Sequence, residues 1–308
     1  MKVSFVCPIF NKKRYLPMVL EAIKNQKGNF NKEYIFIDDG SQDGSLDLVK
    51  NISKTWQNTF YLQHRNRGPA YSTQKGIKIS TGDYLKLVGG DDIMFPNCTN
   101  ILLEGIKKES SVAIFSKYKL TNKLNIFNFI DDKKIIGLKT IENPMEKTII
   151  SCFSGTTPNL FCNKSVKKAG GCYDNLFVED FSLVLKLSKF GKFTFINNVT
   201  SIGPKDDPNR IMVGNEYQMI HDYNASILYF IKENPILSKK IINKACIKCL
   251  GRTEKWLRRK KGYFFFNKMR VKRLLFFLNR KNAINLIKES CTTFYDVKLP
   301  KKIRYKVR

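Results

Sequence analysis

Three apolar runs, each followed by a helical pattern, end in polar or acidic residues, and this repeat constrains the fold more than any other feature. Residues 2–10 read as a buried strand ending at Pro8, just before Phe10-Asn11; residues 34–37 run into Asp38-Asp39-Gly40-Ser41, and residues 84–88 into Gly89-Gly90-Asp91-Asp92. Between the first two, residues 14–26 place Leu16, Val19, Leu20 and Ile23 at helical spacing. Leu46, Val49 and Ile52 suggest a second helix, residues 59–62 a further strand, and residues 70–80 another helix. Apolar strands alternating with amphipathic helices predict a mostly parallel, doubly wound α/β sheet. In such sheets ligands bind outside the carboxyl ends of the strands. The three strand ends then lie along one edge.

Adjacent carboxylates repel, and their charges need a cation or hydrogen-bond donors nearby. Gly-Gly-Asp-Asp is also good turn chemistry, a sufficient local account of one such pair. Two acid pairs on the same edge of a chain with net charge +29 read instead as one acidic cleft. Further along, Glu179-Asp180 precede Phe181, Leu183, Val184 and Leu187 at helical spacing. They are either an acidic first turn that complements the helix dipole or carboxylates at the mouth of that cleft.

The order of these blocks resembles family 2 glycosyltransferases, inverting enzymes with the nucleotide-sugar-binding GT-A fold. The blocks are VSFVCPIFNKKRYL at 3–16, IDDGSQDGS at 37–45, NRGPA at 66–70, GIKISTGDY at 76–84, the acids at 91–92, and GGCYDNLFVED at 170–180. The resemblance implies a GT-A domain over residues 1–214, Rossmann-like with helices flanking the sheet. It implies that Phe10 stacks on the base, Pro8 shapes its pocket, Asp39 accepts from a uracil imide and Gly68 lies on the nucleotide side. Asp91 and Asp92 would hold the ribose and a divalent cation, Mn²⁺ or Mg²⁺, that bridges the diphosphate. Asp180 would be the catalytic base, with Glu179 supporting it. Thr156 and Thr157, with Ser154, are read as acceptor-side residues or as turn residues.

The chain departs from the family at two places. Many members carry an acid where Gly89 stands, which leaves open which Asp ligates the metal. Many also place a histidine after the Glu-Asp block, where this chain offers only His221, read as structural, or the loop residues Asp206, Asp207 and Arg210. The chemistry suits the surviving acids. A cation held by carboxylates neutralises the charge of a departing diphosphate, worth several kcal/mol of barrier. Mg²⁺ and Mn²⁺ take oxygen ligands. A hydroxyl acceptor needs a general base, which typically supplies ~10²–10⁴ in rate.

Beyond residue 214 the family pattern gives way to a basic, helical region, 215–308. Segments 217–232, 236–250 and 264–288 have helical apolar spacing, and residues 252–308 hold 19 Lys and Arg against three acids, a net +16. Three readings compete for it. Basic charge mixed with Phe, Leu and Trp suits an anionic membrane surface. A packing or homo-oligomer contact would leave the charges merely solvated. Nucleic acid is disfavoured, because the cleft is acidic and no recognition motif is present. The chain opens without a signal-peptide pattern and holds no apolar stretch of about 20 residues. Its eight cysteines lack regular spacing, as in reduced cytosolic proteins, and Cys246-x-x-Cys249 lacks a second ligand pair for zinc.

These readings together predict a cytoplasmic enzyme, peripheral at the inner face of the cell membrane. It would pass a sugar, from a UDP-sugar by preference, to a glycan or lipid-linked glycan in bacterial surface-polysaccharide or lipooligosaccharide synthesis. The alternative is a non-catalytic nucleotide- or glycan-binding protein on the same fold, acting through its basic region.

Overall fold

The computed structural model describes residues 1–308 apart from 125–130, 152, 154, 156, 209, 211, 262–267, 278–281, 297, 298, 300 and 308. Strands β1 (Lys2–Ile9), β2 (Asn31–Asp38), β3 (Thr59–Gln63) and β4 (Tyr84–Leu87) pair in parallel in the order β3-β2-β1-β4. Their uninterrupted apolar runs have a simple cause, because both faces of this half-sheet are covered. Phe5, Cys7, Tyr34 and Phe36 point to one face and pack with Leu16, Val19, Leu20 and Ile23 of α1 (Leu16–Lys24). Val6, Ile35, Ile37, Leu85 and Leu87 point to the other face and meet Ala70 and Ile77 of α3 (Pro69–Ile79). Helix α2 (Ser45–Ser53) joins β2 to β3.

The second half of the sheet is mixed. After β5 (Ile93–Met94) and α4 (Cys98–Lys108) come β6 (Ala113–Thr121), β7 (Lys139–Ile141), α5 (Pro144–Ser151), β8 (Asn159–Cys162), α6 (Asn163–Lys168), α7 (Glu179–Leu187) and β9 (Phe193–Pro204). Strand β8 inserts antiparallel between β4 and β6, β6 pairs in parallel with β9, and β5 and β7 pair antiparallel with β9.

Among the described residues four helices follow: α8 (Glu216–Lys232), α9 (Lys239–Lys261), α10 (Lys268–Phe277) and α11 (Ala283–Asp296). The helix expected over 236–250 runs on to Lys261, and the single helix expected over 264–288 is two. Asn282 explains the second start, since its Oδ1 accepts from the Ile284 and Asn285 amides (2.8 and 3.3 Å), donors that lack partners in a first helical turn. Phe230, Leu250, Trp256, Leu286 and Phe294 share one core with Phe181 and Leu185 of α7. The helical region is therefore packed on the helix that begins with Glu179-Asp180. Cys246 and Cys249 are buried in this core, which pushes both thiols up to about 12. Among the described residues no helix is long and apolar enough to cross a membrane.

Candidate active site

A cavity of about 540 Å³ opens at the carboxyl edge of β1, β2 and β4. Pro8, Phe10, Asp39, Asp91, Asp92, Glu179 and Asp180 all line it. Residues from four separate stretches of sequence thus meet in one place. Phe10, just past β1, leaves 37% of its surface exposed, an open aromatic face at the cavity wall.

Asp39 follows β2 and is buried. Its Oδ1 accepts from the Arg67 amide (2.6 Å) and its Oδ2 from the Gly68 amide (2.8 Å), with His64 Nδ1 3.4 Å from Oδ1. Burial pushes this carboxyl above its ordinary range, while the two amides, His64 and Arg304 pull it back down. Gly68, at φ +98°, turns the chain so that both amides reach one carboxylate.

Asp91 and Asp92 follow β4. Lys12 Nζ donates to Asp91 Oδ2 at 2.6 Å. Asp92 accepts from the Tyr118 hydroxyl at Oδ1 (2.6 Å) and the Thr157 hydroxyl at Oδ2 (2.5 Å). Its carboxyl lies above the ordinary range, raised first by burial and then by the Asp91 charge, against the pull of the two hydroxyls and Arg210. Thr157 is itself buried, and its Oγ1 also accepts from the Gly89 amide (2.9 Å). Its hydroxyl therefore ties Asp92 to the Gly89 backbone. Thr156 and Ser154 lie outside the described residues.

Glu179 and Asp180 open α7, which has no side-chain cap at Val178. Asp222 of α8 fixes the approach to this helix, because its Oδ2 accepts from the Phe177 amide at 2.7 Å. Asp180 Oδ1 accepts from the Phe181 amide (2.7 Å), so the acid partly caps its own helix. Glu179 is buried and Asp180 half-buried.

Of the residues considered for the missing histidine, Arg210 lines the cavity. Asp207 instead accepts from the Tyr15 hydroxyl and Asp206 from Asn122. His221 is buried within the helical region, its Nδ1 paired with Asp222 (2.5 Å) and its Nε2 3.1 Å from the Tyr295 hydroxyl. Lys12 and Tyr118 were not singled out from the sequence. Lys12 had a signal, the polar Asn11-Lys12-Lys13 after β1, whereas Tyr118 sits in β6 with none.

The acid pair fits a hard cation. Both side chains offer only oxygen donors, and the backbone leaves room beside them. A Cβ on Gly89 would stand 2.6 Å from Asp92 Oδ2, and one on Gly203 2.6 Å from Oδ1. No group of three His, Cys, Asp or Glu that could hold a metal occurs among the described residues. A cation here would complete its shell with substrate phosphate oxygens and water, the usual way Mg²⁺ is held at phosphate sites.

The fold places the chain in the GT-A class of α/β proteins. The model of the family described as "Glycosyl transferase family 2" matches residues 4–160, and the chain belongs to that family. It is 29% identical over 117 residues to the glycosyltransferase GlyG of Streptococcus pneumoniae, a stretch that is 38% of this chain and 38% of that protein. The matched stretches span only 17% to 38% of the length of three such relatives. Among solved structures, S. aureus TarS 1-349 in complex with UDP-GlcNAc superposes with a TM-score of 0.66 at 16% identity, over 94% of this chain and 82% of that one. The mannosyltransferase PcManGT of Pyrobaculum calidifontis, in complex with GDP-Man and Mn²⁺, superposes at 0.54 with 12% identity, over 94% of this chain and 86% of that one.

Proposed function

We propose that this protein is an inverting, metal-dependent glycosyltransferase. It would move a sugar from a nucleoside diphosphate, a UDP-sugar by preference, to a hydroxyl of a glycan or lipid-linked glycan of the bacterial surface. One observation carries the reading: Asp39, the pair Asp91-Asp92 and the pair Glu179-Asp180 converge on one cavity.

Each group has a task there. Phe10 and Pro8 offer the base an apolar wall, and Asp39 keeps acceptor capacity for an imide N–H. Asp91 and Asp92 would hold Mn²⁺ or Mg²⁺, which neutralises charge on the departing diphosphate. Lys12 and Arg210 place cationic donors in the same cavity, suited to phosphate oxygens. The acceptor oxygen attacks the anomeric carbon as Asp180 takes its proton, and the bond from that carbon to the diphosphate oxygen breaks. A single displacement inverts the centre. The UDP-GlcNAc complex of TarS and the Mn²⁺ complex of PcManGT support donor and cation on this fold. The basic helices would hold the protein against an anionic membrane, where a lipid-linked acceptor is displayed.

The rival reading is a binding protein without turnover. The Lys12–Asp91 pair favours it, because an ammonium already neutralises one acid. Calorimetry with UDP and a panel of UDP-sugars, with and without Mn²⁺, decides between them. We expect Mn²⁺ to tighten UDP binding and one UDP-sugar to be hydrolysed slowly without acceptor. Asp180→Asn should keep UDP affinity and lose that turnover by ~10²-fold or more, the size expected for a general base. Metal-independent binding with no sugar released would leave the binding-protein reading standing.

A further inference from the structure

Residues 301–307 return from the helical region to the loop behind Asp39. Ile303 and Val307 are buried in the helical core. The Arg304 amide donates to Gln218 Oε1 of α8 (2.9 Å), and the Val307 amide to the Tyr295 hydroxyl of α11 (2.7 Å). With its main chain held there, Arg304 extends its guanidinium the other way. Nη2 donates to Asn66 Oδ1 at 2.6 Å. Nη1 lies against Gly68, where an added Cβ would collide with it.

Asn66, Arg67 and Gly68 form the turn whose amides hold the Asp39 carboxylate. We propose that Arg304 is a positioning residue for the donor nucleotide: it fixes this turn and sets a cation beside Asp39, so that the buried carboxylate stays aimed at a nucleobase N–H. The proposal rests on the reading of Asp39 as the base-binding acid. Two independent features support it. Gly68 supplies the positive-φ backbone that the turn requires, and the guanidinium end lies over its bare Cα. Burial drives Asp39 toward its neutral form, and the Arg67 and Gly68 amides, His64 (Nδ1 3.4 Å from Oδ1) and Arg304 oppose this. The structure thereby makes the helical region part of the donor site as well as its support.

The test is UDP binding by calorimetry on the full chain, from acid to neutral pH, with Arg304→Ala, Arg304→Lys and Asp39→Asn. The alanine variant keeps the backbone bond to Gln218, so residues 301–307 stay docked. Arg304→Ala should bind UDP about tenfold more weakly. Its affinity should also fail at a higher pH than in the wild type, because Asp39 without its cation takes up a proton sooner. Arg304→Lys restores the charge and should return the pH limb while recovering affinity only in part. Unchanged affinity and pH limb in Arg304→Ala, or a lower Tm with the limb unmoved, overturns the proposal. If Asp39→Asn weakens binding while Arg304→Ala does not, only the role of Arg304 falls. If Asp39→Asn binds UDP like the wild type, the base-binding reading of Asp39 falls and takes this proposal with it.

Discussion

The Asp92 carboxylate takes hydroxyl hydrogen bonds at both oxygens, yet its pKa stays above the ordinary 3.8 because burial and the Asp91 charge outweigh them. Between 3.8 and that raised value, the folded chain binds more protons at this site than the unfolded chain does. Stability contributed here therefore falls as pH rises through the window, and the full penalty persists above it. Asp92→Asn removes the charge and keeps the shape. We expect its Tm, measured with chelator present, to exceed that of the wild type at neutral pH, and the gap to close as pH falls to the ordinary carboxylate value. Added Mn²⁺ should raise the Tm of the wild type more than that of the variant, which keeps only Asp91 as a carboxylate ligand. A variant less stable than the wild type at neutral pH would mean that Asp92 is a net structural support. The acid itself was legible in the sequence as a strand-end pair. Its partners were not, because Tyr118 and Thr157 lie 26 and 65 residues away and a hydroxyl on a strand announces nothing.

Strand β4 carries a buried charge, Lys86, whose side chain is wholly enclosed. Its ammonium donates to the Thr157 carbonyl and to the Asn159 carbonyl (2.9 Å), and burial lowers its pKa. Lys86 thus ties β4 to the segment whose Thr157 hydroxyl braces Asp92. Lys86→Met keeps length and apolar stem but takes a donor from each carbonyl, leaving the Thr157 carbonyl with the Asn159 amide (2.8 Å), an expected loss of about 1 kcal/mol. Chemical denaturation reads that loss directly, and a stability equal to the wild type would show that the carbonyls find other partners. Slower turnover should accompany it, as Thr157 loosens. The same scale shows where sequence patterning works. Strands β1 to β4 with α1 to α3 follow from continuous apolar runs and helical spacing, because each element buries a face of its own. The antiparallel entry of β8 between β4 and β6 is set by pairing between distant segments, and local periodicity carries no trace of it. The break before α11 was hidden for another reason: helical spacing continues across it, and only Asn282 marks the new start.

Over the whole molecule, charge is unevenly spread. The cavity gathers five carboxylates, while residues 252–308 carry +16. Removing those residues would be a poor test of what the charge does, because Trp256, Leu286 and Phe294 belong to the core that supports α7. Surface charge can be changed alone. Lys255, Arg258 and Arg259 are exposed on α9, and nearby grooves are lined by Lys248, Arg252, Arg270 and Arg273. Val271 and Leu274 of α10 are also exposed, Leu274 by 57%, which places apolar side chains among the cations as an interfacial surface requires. Each Lys or Arg near an anionic bilayer is worth about 1 kcal/mol. Reversing three charges with Lys255→Glu, Arg258→Glu and Arg259→Glu should therefore weaken binding to phosphatidylglycerol vesicles by ~100-fold or more. Tm should change little, because these side chains touch solvent. Wild-type binding should itself weaken as salt rises, since exposed charges are screened within about 10 Å at 0.1 M. Cosedimentation with vesicles measures both effects. A wild type that ignores the vesicles, or a triple variant that binds as well as the wild type at low salt, would show that these cations serve packing and solubility instead of a membrane contact.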